Sequence, residues 1–93
     1  MTIDKSENNY CGNIVIQILS KISKKNPEGI EDSFPVFGIN GVITDSLAIL
    51  DALFEIEKEL QIEIPDEDLT ESLFESVSSF ITYITNRYRA TST

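Results

Sequence analysis

Histidine is absent from the 93 residues. With it go the commonest general base and the commonest metal ligand, so hydrolytic chemistry built on imidazole is excluded. Cys11 is the single cysteine; no internal disulfide can form, which suits a cytoplasmic location. Apolar runs reach only three or four residues, as in Ile14-Val15-Ile16, whereas a membrane-spanning helix needs roughly 20. The opening "MTIDKSENNY" is polar and mixed in charge and does not read as a signal peptide. Gly38 and Gly41 lack the spacing and the lysine of a phosphate-binding loop. The acids from Asp66 onward lack the glycine that a calcium loop needs at its sixth position, where Glu71 stands. No internal repeat is present.

Bases are scarce too. Seven Lys and Arg face sixteen Asp and Glu, for a net charge of −9. The imbalance is local: Asp45 to Glu75 holds eleven acids and one base, Lys58, while the rest holds five acids and six bases. Such a field repels nucleic acid and anionic membranes and attracts basic protein surfaces. It also fits a merely solvated acidic face.

What is present suffices for one small all-α domain. Hydrophobic residues make up 41% of the chain, too many for compositional disorder and enough for one core. The expected organisation is a flexible tail over 1–9, a domain over 10–89 and a tail over 90–93, with Thr91 to Thr93 frayed. From about Tyr10 to Lys25, residues Ile14, Val15, Ile18, Leu19 and Ile22 recur at helical spacing. Lys21, Lys24 and Lys25 would occupy the last turn, and Pro27 and Gly29 would stop it. The segment "NPEGIEDSFPVFGINGVIT" is too broken for regular structure. Its Ile30, Phe34, Val36, Phe37, Ile39, Val42 and Ile43 are too apolar for a free linker, so the loop should lie across the bundle and bury them.

Asp45 is a favoured N-cap for a second helix, "SLAILDALFEIEKEL". This helix carries two apolar stripes. Ile49, Ala52, Leu53, Ile56 and Leu60 have the spacing of a core face. Leu47, Leu50 and Phe54 are rotated away and bordered by Asp51, Glu55 and Lys58, as a docking surface would be. Pro65 fits the first turn of a short helix through "DEDLTES". Ser76 can cap a last helix with Val77, Phe80, Ile81, Ile84 and Tyr88 on one face, ending in Arg87 and Arg89. The fold expected is a small bundle of three main helices plus one short helix, with a long loop between the first and second.

Ser46 lies where the loop becomes the second helix. A phosphate ester on a serine there meets free backbone N–H groups and the positive dipole end, worth roughly 0.3–1 kcal/mol at an exposed site. No histidine or lysine lies nearby to activate the hydroxyl, so Ser46 reads as a group that another enzyme modifies and not as a nucleophile. "DSL" by itself is more often the start of an ordinary helix.

The segment from Gly41 to Ile84 resembles the acyl and peptidyl carrier protein family. The match runs through "DSL" at Asp45-Ser46-Leu47, "EIEKELQIEIPDEDL" from Glu55 to Leu69, and "FESVSSFITYI" from Phe74 to Ile84. The resemblance implies a bundle of three main helices and a short one, and a 4'-phosphopantetheine arm on Ser46, donated by coenzyme A, with Asp45 as its flanking motif residue. It implies that Leu47, Leu50, Asp51, Phe54 and Glu55 meet partner enzymes, and that Leu53, Ile56, Leu60, Ile64 and Leu69 lie near an inner pocket for an attached chain. The arm's thiol would hold an acyl or aminoacyl group as a thioester. The implied partners are a phosphopantetheinyl transferase, an acyl- or aminoacyl-activating ligase and acyl-processing or transferring enzymes; the domain itself would be monomeric and no enzyme.

The chain departs from carriers of primary fatty acid synthesis, which usually read Gly-Ala-Asp-Ser-Leu where this one has "GVITDSL". Ala48 and Lys58 replace frequent acids. The "GVI…DSL" approach and the "DLTESLFESV" spacing resemble free-standing carriers tied to a dedicated ligase, including D-alanyl carriers and small carriers beside biosynthetic clusters. The rival from another class is a cofactor-free acidic helical adaptor that binds a basic partner through Leu47, Leu50, Phe54 and the acids.

Overall fold

The computed structural model describes residues 5–91. Three α-helices account for most of them: α1 over Lys5–Ser23, α2 over Ser46–Leu60 and α3 over Val77–Thr91. Among the described residues there is no β-strand beyond an isolated bridge between Phe37 and Ile43. No helix among them is long and apolar enough to cross a membrane. The fold is the all-α bundle expected, with a long loop between its first two helices.

The arrangement is asymmetric. Helix α1 packs along both α2 and α3, so the other two helices meet chiefly across it. Its buried face comprises Cys11, Val15, Ile18 and Leu19, a 3.6-residue pattern that points one stripe inward. At Gly12 the approach of α3 brings Ile81 close, and the ring of Tyr10 lies 5.7 Å from that of Tyr88. Helix α3 contributes Val77, Phe80, Ile84 and Thr85. Among the described residues Thr85 is the one buried polar residue; its hydroxyl donates to the Ile81 carbonyl at 2.8 Å, which satisfies it within its own helix.

Helix boundaries differ from expectation at several points. Helix α1 begins at Lys5, not Tyr10, because its first turns are polar and leave no hydrophobic period to detect. Residues 5–9, expected as tail, therefore belong to the helix; residues 1–4 lie outside the described residues. The helix ends at Ser23. Lys24 takes a left-handed φ of 62°, so Lys24 and Lys25 follow the helix instead of forming its last turn. Helix α3 runs on to Thr91, and residues 92 and 93 lie outside the described residues.

The expected short helix through "DEDLTES" is only a 3-10 turn over Asp66–Asp68, followed by tight turns to Glu75. Its backbone leaves helical geometry at Leu69, and side-chain anchors hold it where it is. Tyr83 on α3 donates its hydroxyl to Asp68 Oδ2 at 2.5 Å, and Arg87 Nε donates to the Glu63 carbonyl at 3.1 Å. Desolvation, then the Asp68 hydrogen bond and charge, push the Tyr83 phenol up to about 12. The turn is tied to the long loop as well, because Val36 N–H donates to the Phe74 carbonyl at 3.0 Å.

The long loop does lie across the bundle, burying Ile30, Val36, Val42 and Ile43, with Phe37 half-buried. A second 3-10 turn, Pro27–Gly29, is capped by Asn26, whose side chain accepts from Glu28 N–H at 3.0 Å. Two expected burials fail. Phe34 is 37% exposed and Ile39 is 93% exposed. Gly38 N–H donates to the Ile43 carbonyl at 3.1 Å and Gly41 N–H to the Gly38 carbonyl at 3.0 Å, closing a tight turn that throws Ile39 outward. Gly38 sits at φ +127°, and a Cβ on Gly41 would stand 2.7 Å from the Phe37 carbonyl carbon, so this turn needs both glycines.

Candidate functional site

The start of α2 is built by Asp45. In extended conformation (φ −97°, ψ 128°), it turns its carboxylate back so that Oδ1 accepts from Leu47 N–H at 3.0 Å. Its carbonyl accepts from Ile49 N–H, also at 3.0 Å, which starts the helical ladder. A cap of this kind is worth about 1 kcal/mol. Ser46 is then the first helical residue, exposed to solvent, and no acid occupies the first turn.

A phosphoester fits the Ser46 hydroxyl on these observations. The side chain is open to an approaching enzyme, and the helix end offers a positive partial charge. Ser46 is nonetheless a weak nucleophile by itself, since the sequence holds no histidine to take its proton.

The two stripes of α2 separate as their spacing predicts. Ile49, Ala52, Leu53, Ile56 and Leu60 are all buried. Leu47, Leu50 and Phe54 are 70%, 44% and 64% exposed, so the long loop does not cover them. Asp51 is exposed on the same side of the helix's sequence pattern.

Glu55 is different. It is half-buried and its Oε1 receives the Lys21 ammonium of α1 at 2.7 Å. Lys21 was a helix-end cation in the sequence, and only the packing of α1 on α2 reveals the pairing. Glu57 is also committed internally: its Oε2 accepts from Ile64 N–H at 2.8 Å, and its carbonyl accepts from Gln61 and Ile62 N–H. Gln61, at φ 55° and ψ 47°, makes the left-handed cap that ends α2. The acidic segment thus divides into acids that build the fold and acids left to solvent, among them Asp51, Glu59 and Glu63.

No protein-family model, curated protein or solved structure matches this chain. The residues themselves carry the functional argument.

Of the residues expected near an inner pocket, Leu53, Ile56, Leu60 and Ile64 belong to the buried core, and Leu69 packs half-buried against it. None of them lines the groove of about 690 Å³ between α1 and α2, which Ile14, Ile18, Lys21, Glu55 and Lys58 help to form. The feature that sequence reasoning missed is Ile39. Its signal was available in the two flanking glycines, which mark a turn, but apolarity alone argued for burial.

Proposed function

We propose that the protein is a free-standing carrier that holds an acyl or aminoacyl group on a 4'-phosphopantetheine arm at Ser46. The observation that carries the reading is the exposed Ser46 at the start of α2, capped by Asp45 and followed by an uncovered apolar stripe, Leu47, Leu50 and Phe54. In this reading Ser46 supplies the oxygen that a phosphopantetheinyl transferase links to the arm's phosphorus. Its hydroxyl proton goes to the transferase's base, and the bond broken is the one to the nucleotide half of coenzyme A. When bound, the arm supplies the thiol that holds the cargo as a thioester.

This chain's own residues do the rest. Asp45 holds the helix start rigid, so that the Ser46 oxygen is presented in one orientation. Leu47, Leu50 and Phe54 offer apolar contact to an activating ligase or an acyl-transferring enzyme, and Asp51 steers its basic face. The tether keeps the cargo at high effective concentration near successive active sites. Support for a dedicated ligase comes from the "GVI…DSL" approach and the "DLTESLFESV" spacing, and support for service outside primary fatty acid synthesis from "GVITDSL", Ala48 and Lys58.

The test is intact mass after incubation with coenzyme A and a promiscuous phosphopantetheinyl transferase. Wild type should gain one arm; Ser46→Ala should gain none and keep its helical circular dichroism. Modification that persists in Ser46→Ala, or that maps to Ser76, overturns the assignment. A wild type that never gains mass but binds a basic protein through Leu47 and Phe54 is the cofactor-free adaptor instead.

A further inference from the structure

Ile39 is the most exposed of the large apolar side chains described, at 93%. A lone exposed aliphatic residue ordinarily needs no explanation; the way this one is held does. Val36, Val42 and Ile43 on either side are buried in the core. Four backbone hydrogen bonds of 2.9–3.1 Å close the turn: Val42 to Pro35, Ile43 to Val36, Gly38 to Ile43 and Gly41 to Gly38, each named donor first. Ile39 is the first central residue of that tight turn and projects away from it. The loop is therefore a fixed mount, with an isoleucine at its tip and glycines at the two positions where a side chain would strain it.

Its place in the chain matters as much. The mount closes at Ile43, three residues before Ser46, a span of at most roughly 11 Å of backbone. Among the described residues, four of the six exposed large apolar side chains, Ile39, Leu47, Leu50 and Phe54, lie between positions 39 and 54 of the chain. The same region opens the acidic segment with eleven acids to one base. Like charge opposes a second copy of this chain on that surface, and favours a partner with a basic rim.

We propose that Ile39 is a second docking element, which inserts into a shallow apolar pocket on the basic partner protein that works at Ser46. This deepens the carrier reading and rests on it. The contact adds to the α2 stripe from the other side of the attachment residue along the chain, so a partner is held at both ends of the helix start. Being apolar, it acts on residence and not on long-range steering.

The experiment uses the whole protein, coenzyme A and a promiscuous phosphopantetheinyl transferase, with initial rates read at low and at high salt. Ile39→Asn should lower kcat/KM about tenfold through KM, equal to about 1.4 kcal/mol, with kcat unchanged. The loss should be the same at both salt concentrations. Ile39→Leu should restore most of the rate. The melting temperature should not move in either variant, because the side chain touches solvent. If wild type gains the arm and Ile39→Asn keeps its kcat/KM within twofold, or loses only kcat, the docking role is overturned while the Ser46 assignment stands. If wild type gains no arm, both fall. A concentration-dependent dimer in wild type that Ile39→Asn dissolves would assign the tip to a second copy and overturn the proposal.

Discussion

The Tyr83 phenol shows how one side chain can couple a turn to the proton concentration. It donates to Asp68 at 2.5 Å, and burial with the carboxylate beside it raises its pKa from 10.0 to about 12. The folded state thus holds this proton more tightly than the unfolded chain does. Below about pH 10 both states are protonated and the stabilisation is complete; as pH rises through 10 to 12, unfolding releases a proton and stability falls. Tyr83→Phe cannot titrate there. The stability gap between wild type and Tyr83→Phe should therefore narrow when urea unfolding is repeated near pH 11.5 instead of pH 9. A gap of constant size would show that the fold does not hold the phenolic proton.

At the scale of elements, α2 divides its labour between two faces. Leu53 is 5% exposed and Leu50 is 44% exposed, three residues apart on one helix. Deleting a buried leucine side chain costs about 2–5 kcal/mol, a large part of the stability of a domain this small. Leu53→Ala should lower the melting temperature clearly and Leu50→Ala much less, read by circular dichroism. Equal losses would mean that the exposed stripe is held by contacts the packing does not contain. Helix α2 was legible residue by residue because Asp45 is a strong cap and fifteen residues without glycine or proline follow it. Helix α1 was legible only from where its apolar period starts, since polar turns at Lys5 to Asn9 carry no such signal. The acids after Pro65 read as a short helix because composition cannot anticipate anchors from elsewhere. Tyr83 arrives from α3 and holds the 3-10 turn through Asp68, while Arg87 holds the Glu63 carbonyl just before it. Around Ser46 the exposed Leu47, Leu50 and Phe54 followed from spacing, whereas the Lys21–Glu55 pair and the outward Ile39 depend on tertiary packing and turn geometry.

For the molecule as a whole, the governing quantity is the uneven charge. Eleven acids against one base between Asp45 and Glu75 leave that segment electronegative even after Glu55 and Glu57 are engaged internally. Exposed charges act over about 30 Å at 0.01 M ionic strength and about 8 Å at 0.15 M. Loading by a basic partner should slow as salt rises across that range. Asp51→Lys should slow it at low salt through the association rate, with little effect once salt is high. Stopped-flow association or modification kinetics measures both. A wild-type rate that ignores salt, together with an Asp51→Lys variant that matches it, would reduce the acidic side to a solvated surface.

The packing of α1 against both other helices sets a schedule for the protein's manufacture. Of the three helices, α1 leaves the ribosome before α2 and α3, yet Tyr10 meets Tyr88 and Gly12 meets Ile81. Until some seventy further residues have been synthesised, the side of α1 that receives α3 has nothing to cover it. At roughly 5–20 residues per second that interval lasts several seconds. During it, Cys11 and the neighbouring apolar stripe lack the cover that α3 gives them. The core residues of α1 are fully covered only after α3 has been made.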